Sequence, residues 1–104
     1  MLNQVVIVGR ICKEPELVEK EGVKVANITL AVPRTYKNVD GEYETDYLPC
    51  VLWKGVAETT TEYCKKGDLV GIKGRVESTV EDDKTNICII AERVTFLSSK
   101  KSED

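Results

Sequence analysis

Histidine is missing from this chain of 104 residues, and tryptophan, phenylalanine and methionine occur once each. Without an imidazole, a cysteine nucleophile has no ordinary base to activate it, so an enzyme built on Cys12, Cys50, Cys64 or Cys88 is disfavoured and no catalytic residue is expected. Those four cysteines stand far apart with no Cys-x-x-Cys pair, which argues against a zinc site; neither a metal nor a cofactor is expected. No apolar run approaches the roughly 20 residues of a membrane helix. The start, Met1-Leu2-Asn3-Gln4, lacks the charged-then-apolar layout of a secretory signal. A cytoplasmic protein with reduced thiols is the expectation, with Cys50 and Cys88 acting as small hydrophobes on strands. An excess of cations is missing too. Fifteen Lys and Arg against eighteen Asp and Glu leave a net charge of −3, whereas a basic balance is the usual footprint of nucleic-acid binding.

Distribution qualifies that sum. The acids gather around turn signals, four in residues 14–21, four in 40–46 and three in 81–83. The cations Arg10, Lys24, Arg34, Lys37, Lys54, Lys73, Arg75 and Arg93 are scattered along predicted strands and their ends, so one face can be locally positive.

The length allows one domain with a single core. Residues 3–10 are β-branched and read as a strand covered on both sides. Residues 13–22, charged and broken by Pro15 and Gly22, read as a loop or ragged hairpin. Residues 23–32 alternate, with Ala26, Ile28, Leu30 and Val32 inward, and Pro33 ends the strand or places it at an edge. Residues 34–41 form an arm whose Asn38-Val39-Asp40-Gly41 supplies turn chemistry, with Tyr36 near its tip. After the strand 43–53, residues 56–64 place Val56, Thr60, Tyr63 and Cys64 on one helical face, and Gly67 suits a left-handed cap. Residues 69–79 put Val70, Ile72, Gly74 and Val76 inward. A polar turn at 81–84 leads to a last strand, 86–97, carried by Ile87, Ile89, Ala91, Val94 and Phe96. Residues 98–104 read as a polar tail. Five strands with a short helix between the third and fourth predict an all-β Greek-key barrel of the OB-fold type, a common oligonucleotide-binding architecture.

The most informative stretch is 40–53. Strand alternation puts Tyr43, Tyr47, Val51 and Trp53 on one face and Leu48, Cys50 and Leu52 on the other. The second face is a core stripe. The first, with Tyr36 upstream and Lys37 and Lys54 nearby, has what a base-stacking platform requires. Trp53 capping the core is the plainer alternative, since tryptophan is highly buried on average.

Blocks along the chain resemble the bacterial single-stranded DNA-binding protein family: Leu2-Asn3-Gln4-Val5-Val6-Ile7-Val8-Gly9-Arg10, Glu14-Pro15-Glu16-Leu17 and Val25-Ala26-Asn27-Ile28-Thr29-Leu30-Ala31-Val32. They continue with Gly41-Glu42-Tyr43-Glu44-Thr45-Asp46-Tyr47, Val51-Leu52-Trp53, Ala57-Glu58 and Tyr63-Cys64-Lys65-Lys66-Gly67. The resemblance covers residues 1–97, in the family's order and spacing. It implies an OB-fold domain over 1–97 that binds and protects single-stranded DNA in replication, recombination and repair. Tyr36, Tyr47 and Trp53 fall at the family's stacking positions, sharing one outer side with Arg10, Lys24, Arg34, Lys37, Lys54, Lys73 and Arg75 as the phosphate path. It further implies a homotetramer, a dimer of dimers pairing through the first strand, placed in the cytoplasm with the nucleoid.

Two departures stand out. Where the family carries a fourth aromatic after a basic stretch, this chain reads Glu77-Ser78-Thr79-Val80-Glu81, acidic and ringless. The family's acidic, hydrophobic-ended C-terminal tip, which recruits replication and repair proteins, is not found in Lys100-Lys101-Ser102-Glu103-Asp104, as in a tail-less paralogue or a trimmed chain. The alternative on the same barrel is a protein-interaction module of a primosome-type, replication-restart assembly. An OB-fold for RNA or oligosaccharide is set aside on the resemblance alone.

Overall fold

A computed structural model describes residues 1–98. Six strands and a helix follow in the order β1 (Val5–Ile11), β2 (Glu16–Lys20), β3 (Val23–Lys37), β4 (Tyr43–Trp53), α1 (Lys54–Tyr63), β5 (Leu69–Glu81) and β6 (Lys84–Ser98). Hydrogen bonding runs β1-β5-β6-β4-β3-β2, and β1 also pairs with β3. Five strands therefore close into a barrel, the expected OB-type architecture, with α1 between its third and fourth strands. The sixth, β2, lies outside the closure.

Of the loop or ragged hairpin expected over 13–22, the structure shows the hairpin, with β2 as its first strand. The five residues of that strand are exposed, and it pairs antiparallel with β3 from Glu16↔Asn27 to Lys20↔Val23. The turn at Glu21 (φ 53°) and Gly22 (φ 79°) has positive φ at both central positions, matching the right-handed twist of a two-residue hairpin. Only one side of that hairpin meets the barrel, which is why its apolar content is too thin to read as a strand.

The core contains Ile11, Ala26, Ile28, Leu30, Cys50, Leu52, Ala57, Cys64, Val70, Ile72 and Ala91. Closure depends on β1, which pairs with β5 over Val5–Arg10 and passes to β3 at Arg10↔Ala31 and Ile11↔Leu30. At the crossing a Cβ on Gly9 would stand 2.8 Å from the Ala31 carbonyl oxygen, so a side chain there would push the strands apart. Strand β1 is not covered on both sides as expected: Val6 and Val8 are exposed.

Strands β5 and β6 shift register twice, between Leu69 and Val70 and between Lys73 and Gly74. Gly74 faces Ala91 and Lys73 faces Arg93, leaving Glu92 as the extra residue of a bulge. Ile90 and Ala91 are buried in succession because both faces of β6 are covered there: Ala91 lies beside Leu52 of the core, and Ile90 lies in the row of Val51 and Arg75 at the groove beside Trp53. Ile87 and Phe96, expected to carry the last strand, lie in β6 but are exposed. Around Ile87, residues 78–81 and 84–87 pair only with each other and are exposed throughout.

Helix α1 starts two residues earlier than expected, directly after Trp53, and buries Ala57 and Thr60. Tyr63 is exposed. Gly67 (φ 95°) is not the helix cap; Cys64 is. Gly67 belongs to the following turn, where its N–H donates to the Ile11 carbonyl at 2.7 Å. The arm is more ordered than its turn residues imply, because β3 continues past Pro33 to Lys37 through a register shift. Its tip is held by Asn38, whose Oδ1 accepts from the Asp40 and Glu42 N–H groups at 2.9 and 3.0 Å. Of the polar tail, Ser98 closes β6 and residues 99–104 lie outside the described residues.

Candidate functional site

Strand β4 separates its side chains as the alternation dictates. Cys50 and Leu52 are fully buried, while Tyr43, Tyr47 and Trp53 are 60, 64 and 42% exposed. Tyr47 and Trp53 sit six residues apart, about 20 Å along a strand. Each belongs to a cross-strand row on the barrel's outer face. Trp53 lies opposite Val25, and an open groove of about 460 Å³ beside it is lined by Lys54, Val56, Arg75, Glu77, Ile90, Ala91 and Glu92. One side of the indole covers apolar neighbours and the other faces outward, so it combines a partial core cap with an available π-face.

Tyr47 shares a row with Ala31 and, beyond it, Arg10. Tyr43 lies opposite Lys37, whose Nζ stands 5.8 Å from the ring centroid. Tyr43 is a ring that the sequence reading placed on this face without assigning it to the site. Its parity with Tyr47, four residues on, is the signal that assigns it there.

Tyr36 departs from the expectation of one shared side. The Arg34 guanidinium lies 6.0 Å from its ring centroid and is bonded to Asp46. Asp46 has the opposite parity to Tyr47, so Tyr36, Arg34 and Asp46 occupy one face of the arm and Tyr43 and Tyr47 the other. The register shift after Pro33 adds two residues to β3 relative to β4, which keeps Tyr36 in the parity of Arg34 and of Val32, the residue opposite Asp46.

The seven predicted cations divide by what holds them. Arg34 makes a two-pronged contact to Asp46, with its NH2 2.8 Å from Oδ1, and a longer one to Glu44 at 3.4 Å. The hydrogen bond from Arg34 holds the Asp46 carboxyl below its ordinary range, so this pair is intact at neutral pH and opens only in acid. Arg75 is bonded to both Glu77 and Glu92. Lys24 pairs with Glu58 of α1 at 3.4 Å. One Arg10 NH1 donates to the Gly67 carbonyl at 3.0 Å, which leaves its charge uncompensated. Among the described residues, Lys37, Lys54 and Lys73 have no carboxylate within ion-pair distance. Lys37 and Lys54 flank Tyr43 and Trp53. Lys73 faces Val6 and Arg93 on the neighbouring strands, and Arg93 was named as a cation but not as a site residue.

The cysteines have no part in this surface chemistry. All four thiols are free. Burial pushes the Cys50 thiol up to about 11, and burial beside Asp68 raises Cys64. Because the thiolate is the reactive form, iodoacetamide on the folded protein at mildly alkaline pH should alkylate Cys12 and Cys88 and spare Cys50 and Cys64. Peptide mass mapping checks this, and equal labelling of all four would mean that the core opens readily.

The profile of the Single-strand binding protein family matches residues 2–97. The "Single-stranded DNA-binding protein B" of Bacillus subtilis (strain 168) is 41% identical over 109 aligned residues, covering 99% of this chain and 96% of that one. The "Single-stranded DNA-binding protein" of Halalkalibacterium halodurans is 42% identical, over 99% of this chain but 65% of its own length. The "Single-stranded DNA-binding protein 3" of Listeria innocua is 45% identical over 98% of this chain and 68% of its own. In fold, the chain superposes on the structure titled "Plasmodium falciparum SSB complex with ssDNA" with a TM-score of 0.81 over 94% of this chain and 96% of that chain, at 23% identity.

Proposed function

Since this chain belongs to the single-strand binding protein family, we propose that it binds single-stranded DNA without sequence preference and protects it during replication, recombination and repair. The observation that carries this is the row of exposed rings, Tyr43, Tyr47 and Trp53, on the outer face of one barrel strand. Every base has a π-face that can lie on such a ring, whatever its sequence, and duplex DNA hides those faces. The strand runs from the groove at Trp53 past Val51 to Tyr47, then around the arm to reach Tyr36 on its far side. Lys54, Arg10 and Lys37 meet its phosphates, and Arg34 and Arg75 do so by exchanging carboxylate for phosphate. Lys24 is a bystander in this path. The mechanism includes no reaction, and it belongs to the cytoplasm, where the nucleoid lies.

The active assembly is a homotetramer, a dimer of dimers. Residues 5–9 of β1 pair with β5 on one side only, and Val6 and Val8 are exposed beside that free edge. An apolar open edge of this kind favours pairing with a copy of itself.

Titration with oligothymidine and with a duplex of equal length, followed by emission of the single tryptophan, tests the reading. Quenching by the single strand alone is expected. Affinity should fall with salt, by a log–log slope of about −0.7 for each phosphate neutralised. Unchanged emission together with no binding would instead favour the protein-interaction module.

A further inference from the structure

The groove beside Trp53 holds a cation that is already occupied. Arg75 projects from β5 in the row of Ile90, half exposed, and lines the same groove as the indole. Its Nε donates to Glu77 Oε2 at 2.9 Å, its NH2 bonds the same oxygen, and its NH1 donates to Glu92 Oε2 at 2.8 Å. Two carboxylates on one guanidinium present spaced anionic oxygens, the arrangement a phosphodiester would bring. They reach it by different routes. Glu77 is two positions along β5 on the same face, whereas Glu92 comes from the neighbouring strand, two positions beyond Ile90, the residue paired with Arg75.

We propose that Glu77 and Glu92 act as an internal competitor for phosphate at Arg75, so that a DNA strand lying on Trp53 must displace them, and that they set the affinity of this subsite. The inference rests on the DNA-binding reading above and adds its local control. In the resting protein the triad carries a net charge of −1, which offsets the free Lys54 on the same groove wall until the guanidinium is released. Both carboxylates are half exposed, and water can solvate them once displaced, which keeps the exchange reversible.

The test is a mutant cycle on the full chain, read by anisotropy of labelled oligothymidine across a salt series. Glu77→Gln with Glu92→Gln should tighten binding about fivefold and steepen the salt slope by about 0.7, the value for one added phosphate contact. Arg75→Gln alone should weaken wild-type binding by about twofold or more, because it removes a phosphate contact and leaves Glu77 and Glu92 uncompensated beside the indole. In the Glu77→Gln/Glu92→Gln background, Arg75→Gln should abolish the gain. Glu21→Gln with Glu62→Gln makes the same change in net charge away from the groove and controls for bulk electrostatics. An equal gain in that control would overturn the proposal, as would unchanged or weaker binding in the Glu77/Glu92 variant. Failure of the wild-type chain to bind oligothymidine would instead overturn the functional reading itself.

Discussion

Gly74→Ala should destabilise the protein by about 3 kcal/mol, enough to lower the melting temperature of a domain this size by more than about 10 °C. A Cβ at this position would stand 2.0 Å from the Ile90 carbonyl oxygen, 2.9 Å from its carbon and 3.1 Å from the Ala91 Cα. These are backbone atoms of the paired strand. They cannot turn aside as the end of a flexible side chain can, and relief would require β6 to lift off β5 where the two strands change register. Ile90 and Ala91 would leave their buried sites with it. Gly71→Ala on the same strand is the control. Its added methyl would meet only Leu97 Cδ1 at 3.6 Å and Val8 Cγ2 at 3.8 Å, ordinary contact distances, and replacing glycine stiffens the unfolded chain. Thermal and denaturant unfolding of both variants decides the matter: equal stabilities would mean that the approach at Gly74 carries no constraint.

Trp53→Ala should weaken binding of oligothymidine by about 1–3 kcal/mol, the usual value of one stacked base, or about 5- to 150-fold in Kd. Binding must then be followed by anisotropy of a labelled oligonucleotide, since the only indole is gone. The fold should survive. The ring is 42% exposed and covers Val25 from one side only, so the stability cost should be well below the roughly 3–5 kcal/mol of emptying a fully buried aromatic site. Trp53→Phe keeps a π-face and should recover most of the affinity. Collapse of the fold in Trp53→Ala, with normal binding in Trp53→Phe at lowered stability, would assign the ring to the core instead.

Much of the architecture is legible because it is written in short-range patterns. Alternation over 23–32 and 43–53 identifies the inward residues, Asn38 and Gly41 announce the arm's turn, and the β-branched run at 5–8 marks the first strand. Patterns fail where geometry is cooperative. Strand β2 forms because β3 offers it an edge, and nothing in its own charged residues requires it. Of the expected helical face, Thr60 and Cys64 are buried and Val56 packs against the core, while Tyr63 is exposed and Ala57 is buried as well, because the barrel wall that α1 meets decides which residues are covered.

What the sequence determined by itself is the separation of rings from core along β4. A strand alternates its side chains by local backbone geometry, and no partner is needed to sort Tyr47 and Trp53 from Cys50 and Leu52. Which cations stand ready for an anion was decided only by the tertiary structure. Asp46 reaches Arg34 from 12 residues away and Glu92 reaches Arg75 from 17. The strand pairing that joins them exists only once the barrel has closed, because a charge pair's strength depends on separation in space and not along the chain.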